Sequence, residues 1–350
     1  MSASVKSSPG KFFEDFRPGE TLIHPTPQTV TEGDLALYRA LTGGRYAQYS
    51  SAEFARASGL PGLCVDPLHA FHIVFGKTVP DISLNAVANL GYADGRILRP
   101  VLPGDTLRAT SDVIGVKENS NGKTGVVWVR TRGLNQRGEE VMTFVRWVMV
   151  NKRHAGSPAP ETVVPDLPAA VAASDLTGFP EMETWYFAQS GSRHVYEDYE
   201  VGEKISHIDG MTIQEAEHQI ATRLYQNTAK VHFDYHGQKE SRFGKRLVYG
   251  GVVISIARSL AFNGLANAGQ ILAINAGSHA GPLFAWDTIY AWSEVLDKAE
   301  LSETCGALRL RLVAVKDADP GAFLYKDADG KYDARVLLDF DYWAAIPRAR

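Results

Sequence analysis

The segment FEDFRPGE at residues 13–20 returns as YEDYEVGE at residues 196–203, an offset of 183. Without a gap, the same offset carries Thr29 onto Thr212, Thr42 onto Tyr225, Gly44 onto Asn227 and Tyr49 onto His232. Further on, PGDTLRA at residues 103–109 matches AWDTIYA at residues 285–291, one residue out of that register. A single octamer can recur by chance, but an ordered series in one register marks the duplication of a whole domain, not a solenoid. A chain of 350 residues has room for two domains of middling size. The expected division is an N-terminal domain over 11–154, a linker over 155–180 and a C-terminal domain over 181–350.

Each half follows one plan. An acidic, Gly-marked lead-in comes first. A short amphipathic helix follows, with Leu35, Tyr38 and Leu41 at helical spacing in the first half and Ala216, Ile220 and Leu224 in the second. After a loop comes an apolar helix, predicted over 66–79 and again over 252–265. Strands close each unit, over 107–116, 125–133 and 141–150, then over 289–295, 306–315 and 332–343. Alternation is clear in VVWVRTRG and ALRLRLVAV, and NSNGK and NQRGE carry hairpin-turn chemistry. One long helix followed by an antiparallel meander predicts an α+β fold in which the sheet wraps the helix. Residues 155–179, rich in Pro, Ala and Val, read as a connector across the molecule.

Composition narrows the function. A hydrophobic share of 45% and a charged share of 22% allow a sizeable core. The net charge of -4 argues against a nucleic-acid partner. It leaves an anionic substrate open, since local Lys and Arg bind one whatever the total. Cys64 and Cys305 have no CxxC spacing and no disulfide framework, which fits a reducing compartment. Residues 1–16 lack the apolar core of a signal peptide, and no apolar run reaches membrane-spanning length. The expectation is a soluble, cytoplasmic protein whose first ten residues are a frayed tail.

The chemistry concentrates in YQNTAKVHFDYHGQKESRFGKRLVYGG, residues 225–251. Asn227 and His232 stand five residues apart, a spacing that a helix would not bring together. A basic, Gly-containing passage leads from them to Gly250-Gly251, where an apolar run begins. A polar pair on a loop, followed by free backbone N–H groups at a helix start, suits an anionic intermediate.

These features resemble the MaoC-like dehydratase family, whose unit is the hotdog fold. Its signature reads roughly (T/S)GDxNPxH, then a basic loop, then HG at the start of the central helix. Here His232 matches the family histidine, Asn227 stands where its aspartate stands, and Tyr249-Gly250 stand where HG stands. In the first half TGGRYAQY keeps only the TG, and Gly44 and Tyr49 fall on the two catalytic positions. That half is expected to be chemically silent, a pairing that resembles the eukaryotic double-hotdog hydratases. The Asn-for-Asp change, the wording NTAKVHFD and the length are most similar to the mesaconyl-CoA (2-methylfumaryl-CoA) hydratases within the family. The resemblance implies a tandem (double) hotdog and reversible hydration of a CoA thioester, mesaconyl-CoA to β-methylmalyl-CoA in its most specific form. It implies no cofactor and no metal, and a homo-oligomer, dimeric or higher, is expected.

In that chemistry His232 is the general acid/base, its imidazole titrating near neutrality. Asn227 has no basic form and is given an orienting role. The Gly250 N–H is the expected oxyanion donor, while Gly251, Tyr249, Arg246, Lys245 and Arg242 are expected to bind substrate. Plainer readings stand beside these. His232 alone would be an ordinary core histidine, Asn227 a turn residue, and the glycine pair a device for close packing. Arg242, Lys245 and Arg246 would make an ordinary solvated loop, or else meet CoA phosphates or a substrate carboxylate. His232, Asp234 and His236 spell HxDxH, without the further ligand cluster of a metal site. His69 and His72 are expected in the core packing. Three rival functions remain open: an (R)-specific enoyl-CoA hydratase of broader range, a hotdog thioesterase, and a non-catalytic acyl-CoA-binding scaffold.

Overall fold

The repeated octamer folds the same way twice. In the computed structural model, which describes residues 6–349, each copy makes one turn of 3-10 helix, Phe13–Asp15 and Tyr196–Asp198. Asp15 and Asp198 reach back to accept from the N–H of Phe12 and Val195, at 3.0 and 2.9 Å. Gly19 and Gly202 follow at φ +87° and +90°, a conformation open to glycine. Their N–H groups donate at 2.8 Å to Val113 and Val295, docking each turn on a strand. The sequence repeat is thus a local hydrogen-bonding device. A second duplicated pair, invisible in the octamer, accompanies it. Buried His24 and His207 each bond a serine through Nε2, Ser111 and Ser293, both at 2.8 Å.

Ten strands are described: β1 (Thr21–Thr29), β2 (Ala86–Ile97), β3 (Thr106–Glu118), β4 (Thr124–Leu134), β5 (Glu140–Asn151), β6 (Lys204–Thr212), β7 (Gln270–His279), β8 (Thr288–Glu300), β9 (Cys305–Lys316) and β10 (Val336–Pro347). They form one antiparallel sheet in the order β1-β3-β4-β5-β2-β7-β10-β9-β8-β6, each half the mirror of the other. The halves join where β2 pairs β7, Gly95 opposite Ile274 and Arg96 opposite Ala273. A Cβ on Gly95 would stand 2.8 Å from the Ile274 side chain, so the seam closes around a missing side chain.

Four longer helices matter here: α1 (Glu32–Thr42), α2 (Pro67–Thr78), α3 (Glu215–Leu224) and α4 (Gly250–Leu260). α1 is capped by the Thr31/Asp34 capping box and stops at Gly43 in the left-handed region. α2 starts on Pro67 with Asp66 accepting the Leu68 N–H. α2 and α4 are the two central helices, and their apolar faces share one core running through both halves, from Phe71 and Val74 to Ile254 and Ile256.

The structure corrects the sequence expectation in three places. The second central helix spans Gly250–Leu260, not 252–265. It starts earlier because glycine is tolerated in a first turn, and helical geometry is lost at Asn263 and Gly264. There the His207 Nδ1–H donates to the Asn263 carbonyl at 2.7 Å, while Tyr199 donates to the Gly264 carbonyl at 2.7 Å. The last strand lies at Val336–Pro347 rather than 332–343. β2 and β7 had no counterpart in the sequence reading. Buried on both faces at their centres, they lack the alternation that marks a half-buried strand. The connector does cross the molecule. Val163 bridges Val116, and further along Val171 accepts from the Trp343 indole at 3.0 Å. The expected frayed tail falls partly on residues 1–5, outside the described residues.

Candidate active site

α4 opens on Gly250 with Tyr249 at its N-cap, and no side chain caps it. The first turn therefore presents backbone N–H groups and the positive end of the helix dipole. Packing dictates the glycines. A Cβ on Gly250 would stand 2.4 Å from the His279 ring, and one on Gly251 would stand 2.7 Å from Nδ1 of His72. Imidazoles from β7 and α2 thus lie directly on the glycine pair.

Asn227 and His232 sit on the loop between α3 and α4, and both are buried, at 3% and 7% exposure. The Asn227 Oδ1 accepts from the Ala229 N–H at 2.9 Å, so the carbonyl end of its amide is spent on the loop. Its NH2 end is left as the group able to meet a ligand. The loop is pressed against the first half, where Gly76 of α2 faces the Tyr225 carbonyl; a Cβ there would lie 1.9 Å from that oxygen. His232 Nδ1 lies 2.8 Å from the Leu247 carbonyl, which only accepts, so Nδ1 carries the proton and Nε2 the lone pair. Burial, followed by a neighbouring His218 and opposed by that carbonyl, pulls its pKa down to about 4, keeping the ring neutral.

Aromatic and imidazole rings surround this lone pair. Tyr249 lies 5.5 Å from the His232 ring, centre to centre, and Tyr249 in turn 5.8 Å from His72. His279 bonds the Tyr92 hydroxyl at 3.1 Å and is held near pKa 4 by burial and then by His232. The hydroxyls of Tyr225 and Tyr249 and the Nδ1 of His72 are buried without partners. A cluster of unmade hydrogen bonds inside an apolar core is the signature of a place kept for a polar guest.

The expected substrate-binding side chains divide. Tyr249 and Gly251 line this cluster. Arg246 is tied to Glu215 in an ion pair. Arg242 and Lys245 are exposed, lying over the rings of Phe243 and Phe284 at 5.2 and 4.1 Å. The HxDxH residues do not converge, since Asp234 caps the Gly237 N–H and His236 is exposed. Among the described residues no group of three or more His, Cys, Asp or Glu could hold a metal ion. His69 and His72 lie in the interior as expected, both fully buried. His279 and Tyr92 have no mark in the sequence, and His72 and Tyr225 carry none that assigns them to the site, because these rings arrive from different elements.

At the first-half counterpart, Tyr49 replaces the histidine and is buried, its hydroxyl pKa raised by burial. A crevice opens there, lined by Gly44, Tyr49, Asp66, His69, Ser255 and Arg258 among others. No imidazole occupies the position corresponding to His232.

Six buried histidines carry a depressed pKa: His69, His207, His232 and His279 at about 4, His72 at about 3, and His218, lowered by burial and opposed by Glu215. In each, burial disfavours the charged ring. The unfolded chain takes up these protons near pH 6.5, while the fold refuses them, at the first five until about pH 4. Stability is therefore full above pH 6.5 and is lost as pH falls toward 4, by about 2 kcal/mol for each of those five at pH 5. Asp66, raised to about 6 by burial, offsets one part of this. A circular-dichroism titration is expected to show cooperative unfolding with a midpoint above pH 4. A full native signal at pH 4 would contradict it.

A mirrored ten-strand sheet around two central helices, with an imidazole and an uncapped glycine helix start at one end, defines a double-hotdog protein of the MaoC-like type. The family model for mesaconyl-CoA hydratase matches residues 3–324. A mesaconyl-CoA hydratase from Cereibacter sphaeroides is 61% identical, over 98% of this chain and 100% of that one. A β-methylmalyl-CoA dehydratase from Chloroflexus aurantiacus is 58% identical, over 99% of both chains. The crystal structure of a MaoC domain protein dehydratase from the same organism superposes with a TM-score of 0.97 at 58% identity, over 99% and 100% of the two chains. A double-hotdog protein of Mycobacterium tuberculosis, 23% identical over 97% and 99%, shares the fold at a TM-score of 0.78. The chain belongs to the mesaconyl-CoA hydratase family.

Proposed function

We propose that the protein is a hydro-lyase interconverting mesaconyl-CoA plus water and β-methylmalyl-CoA. The observation that carries this is the buried, neutral His232 with its Nε2 lone pair beside an uncapped helix start, in a chain of this family. In the hydration direction Nε2 takes a proton from water as the hydroxyl oxygen bonds to C3. The electron pair of the C2–C3 double bond moves toward the thioester oxygen, where the Gly250 N–H stabilises the enolate. The proton then passes to C2, restoring the thioester. Asn227 orients the water through its NH2 end, since its Oδ1 is already engaged. The developing negative charge raises the His232 pKa during the step, so a ring neutral at rest is suited to accept a proton.

Arg242 and Lys245, exposed on the loop ahead of α4, are the cations available to CoA phosphates, whereas Arg246 is paired with Glu215. Tyr249 and Gly251 line the acyl end. The boundaries 11–154, 155–180 and 181–350 are proposed as the functional division, with the second domain supplying the acid–base group. A homo-oligomer in the cytoplasm completes the proposal.

The deciding assay follows the conjugated thioester absorbance with mesaconyl-CoA and with crotonyl-CoA. Faster loss with mesaconyl-CoA is expected. Equal or better use of crotonyl-CoA would favour a general enoyl-CoA hydratase, thiol release a thioesterase, and no change with either substrate a binding scaffold.

A further inference from the structure

Arg146, on β5, is fully buried and forms no ion pair among the described residues. One nitrogen, Nη2, donates to Thr78 at 2.7 Å and to Ser83 at 3.3 Å. Its Nε and Nη1 have no partner. The guanidinium lies 4.3 Å from the centre of the Phe75 ring. Burial depresses its pKa to about 10, opposed by the nearby hydroxyls of Tyr92 and Tyr249.

Those two tyrosines belong to the site already described. Tyr249 lies between Phe75, at 5.7 Å, and His232, at 5.5 Å. Tyr92 bonds His279, which lies on Gly250. The uncompensated cation thus stands two rings, Phe75 and Tyr249, away from the acid–base group. A buried guanidinium with two unpartnered nitrogens is unfavourable in a resting fold, and a carboxylate is the group whose charge and acceptor oxygens would compensate it.

We propose that Arg146 binds the distal carboxylate of the acyl group through one of its unpartnered nitrogens, with the unpartnered Tyr249 hydroxyl as a second donor. The first half then contributes selectivity for a dicarboxylic acyl-CoA, although its own acid–base position is empty. This rests on the reading of His232 as the reacting centre.

The duplication provides an internal control. In the second half the cation and the ring change places: Arg258 of α4 stands where Phe75 stands and Tyr342 of β10 where Arg146 stands, the two lying 5.5 Å apart. Arg258 is likewise buried with Nε and Nη1 unpartnered, but it lines the crevice of the silent half.

The test compares binding of succinyl-CoA and butyryl-CoA, which differ by a carboxylate in place of a methyl group, by calorimetry and without turnover. The wild-type protein is expected to prefer succinyl-CoA. Arg146→Met should reduce that preference by about 30-fold or more, Arg146→Lys should retain part of it, and Arg258→Met should retain it in full. Melting curves of the variants are measured alongside, so that only folded proteins enter the comparison. The proposal is overturned if wild type shows no preference, if folded Arg146→Met or Arg146→Lys prefers succinyl-CoA as wild type does, or if Arg258→Met abolishes the preference equally. Failure of mesaconyl-CoA hydration with the Arg146-dependent preference intact would remove the proposed reaction and leave the carboxylate site.

Discussion

Replacing His232 by alanine is expected to lower kcat for hydration of mesaconyl-CoA by about 10²–10⁴-fold, the usual contribution of a positioned acid–base group. The fold should survive. The side chain makes one hydrogen bond, Nδ1–H to the Leu247 carbonyl, worth about 1 kcal/mol. The loop has other ties, including Leu247 N–H to the Val231 carbonyl at 3.1 Å. Steady-state kinetics with a circular-dichroism check of the fold decide the matter. Unaltered turnover in the folded variant would take His232 out of the mechanism, and with it the proposed reaction path. Neither His72 nor His279 is positioned by a carbonyl in the same way, since each is bonded through Nε2 to a hydroxyl, at 3.0 and 3.1 Å.

Gly76→Ala is expected to damage both stability and catalysis although residue 76 touches no substrate atom in the proposed mechanism. A methyl group there would sit 1.9 Å from the Tyr225 carbonyl oxygen, 3.0 Å from its carbon and 3.2 Å from the Asn227 nitrogen. All three are backbone atoms in a loop held by Asn227 N–H to the Thr222 carbonyl at 3.2 Å, so no side chain can rotate to relieve the contact. Overpacking a closed core typically costs about 1–3 kcal/mol. Relief by moving the loop would carry Asn227 away from the reacting water and lower kcat by about 10-fold or more, because small misplacements are costly in a positioned site. Urea melts and kcat measured together test this. A variant as stable and as active as wild type would show that the two halves do not fix the loop against each other.

Much of the architecture was legible because duplication writes itself into local chemistry. Asp15 and Asp198, Gly19 and Gly202, Glu20 and Glu203 perform the same backbone tasks, and such tasks demand particular residue types. The meander strands that show alternation, such as β4, were readable for the same reason, each having one buried and one less buried face. β2 and β7 were not, since the central helices cover one face at the seam and the connector's Val171 and Leu176 cover Leu272 and Ala273 on the other, which erases the period. His232 and the glycine pair stood out through register and spacing along one stretch of chain. His72, Tyr92, Arg146 and His279 arrive from α2, β2, β5 and β7, and nothing in their neighbouring residues marks them.

By itself, the sequence determined that the chain is two copies of one α+β unit and that the second copy kept an imidazole and a glycine helix start, because these depend on contacts between near neighbours in the chain. Tertiary structure alone decided which rings surround that imidazole, which amide end of Asn227 remains free and where an unpaired guanidinium comes to rest. Those properties arise from burial between the halves, where the desolvation of a charge and the geometry of its partners depend on residues far apart in sequence.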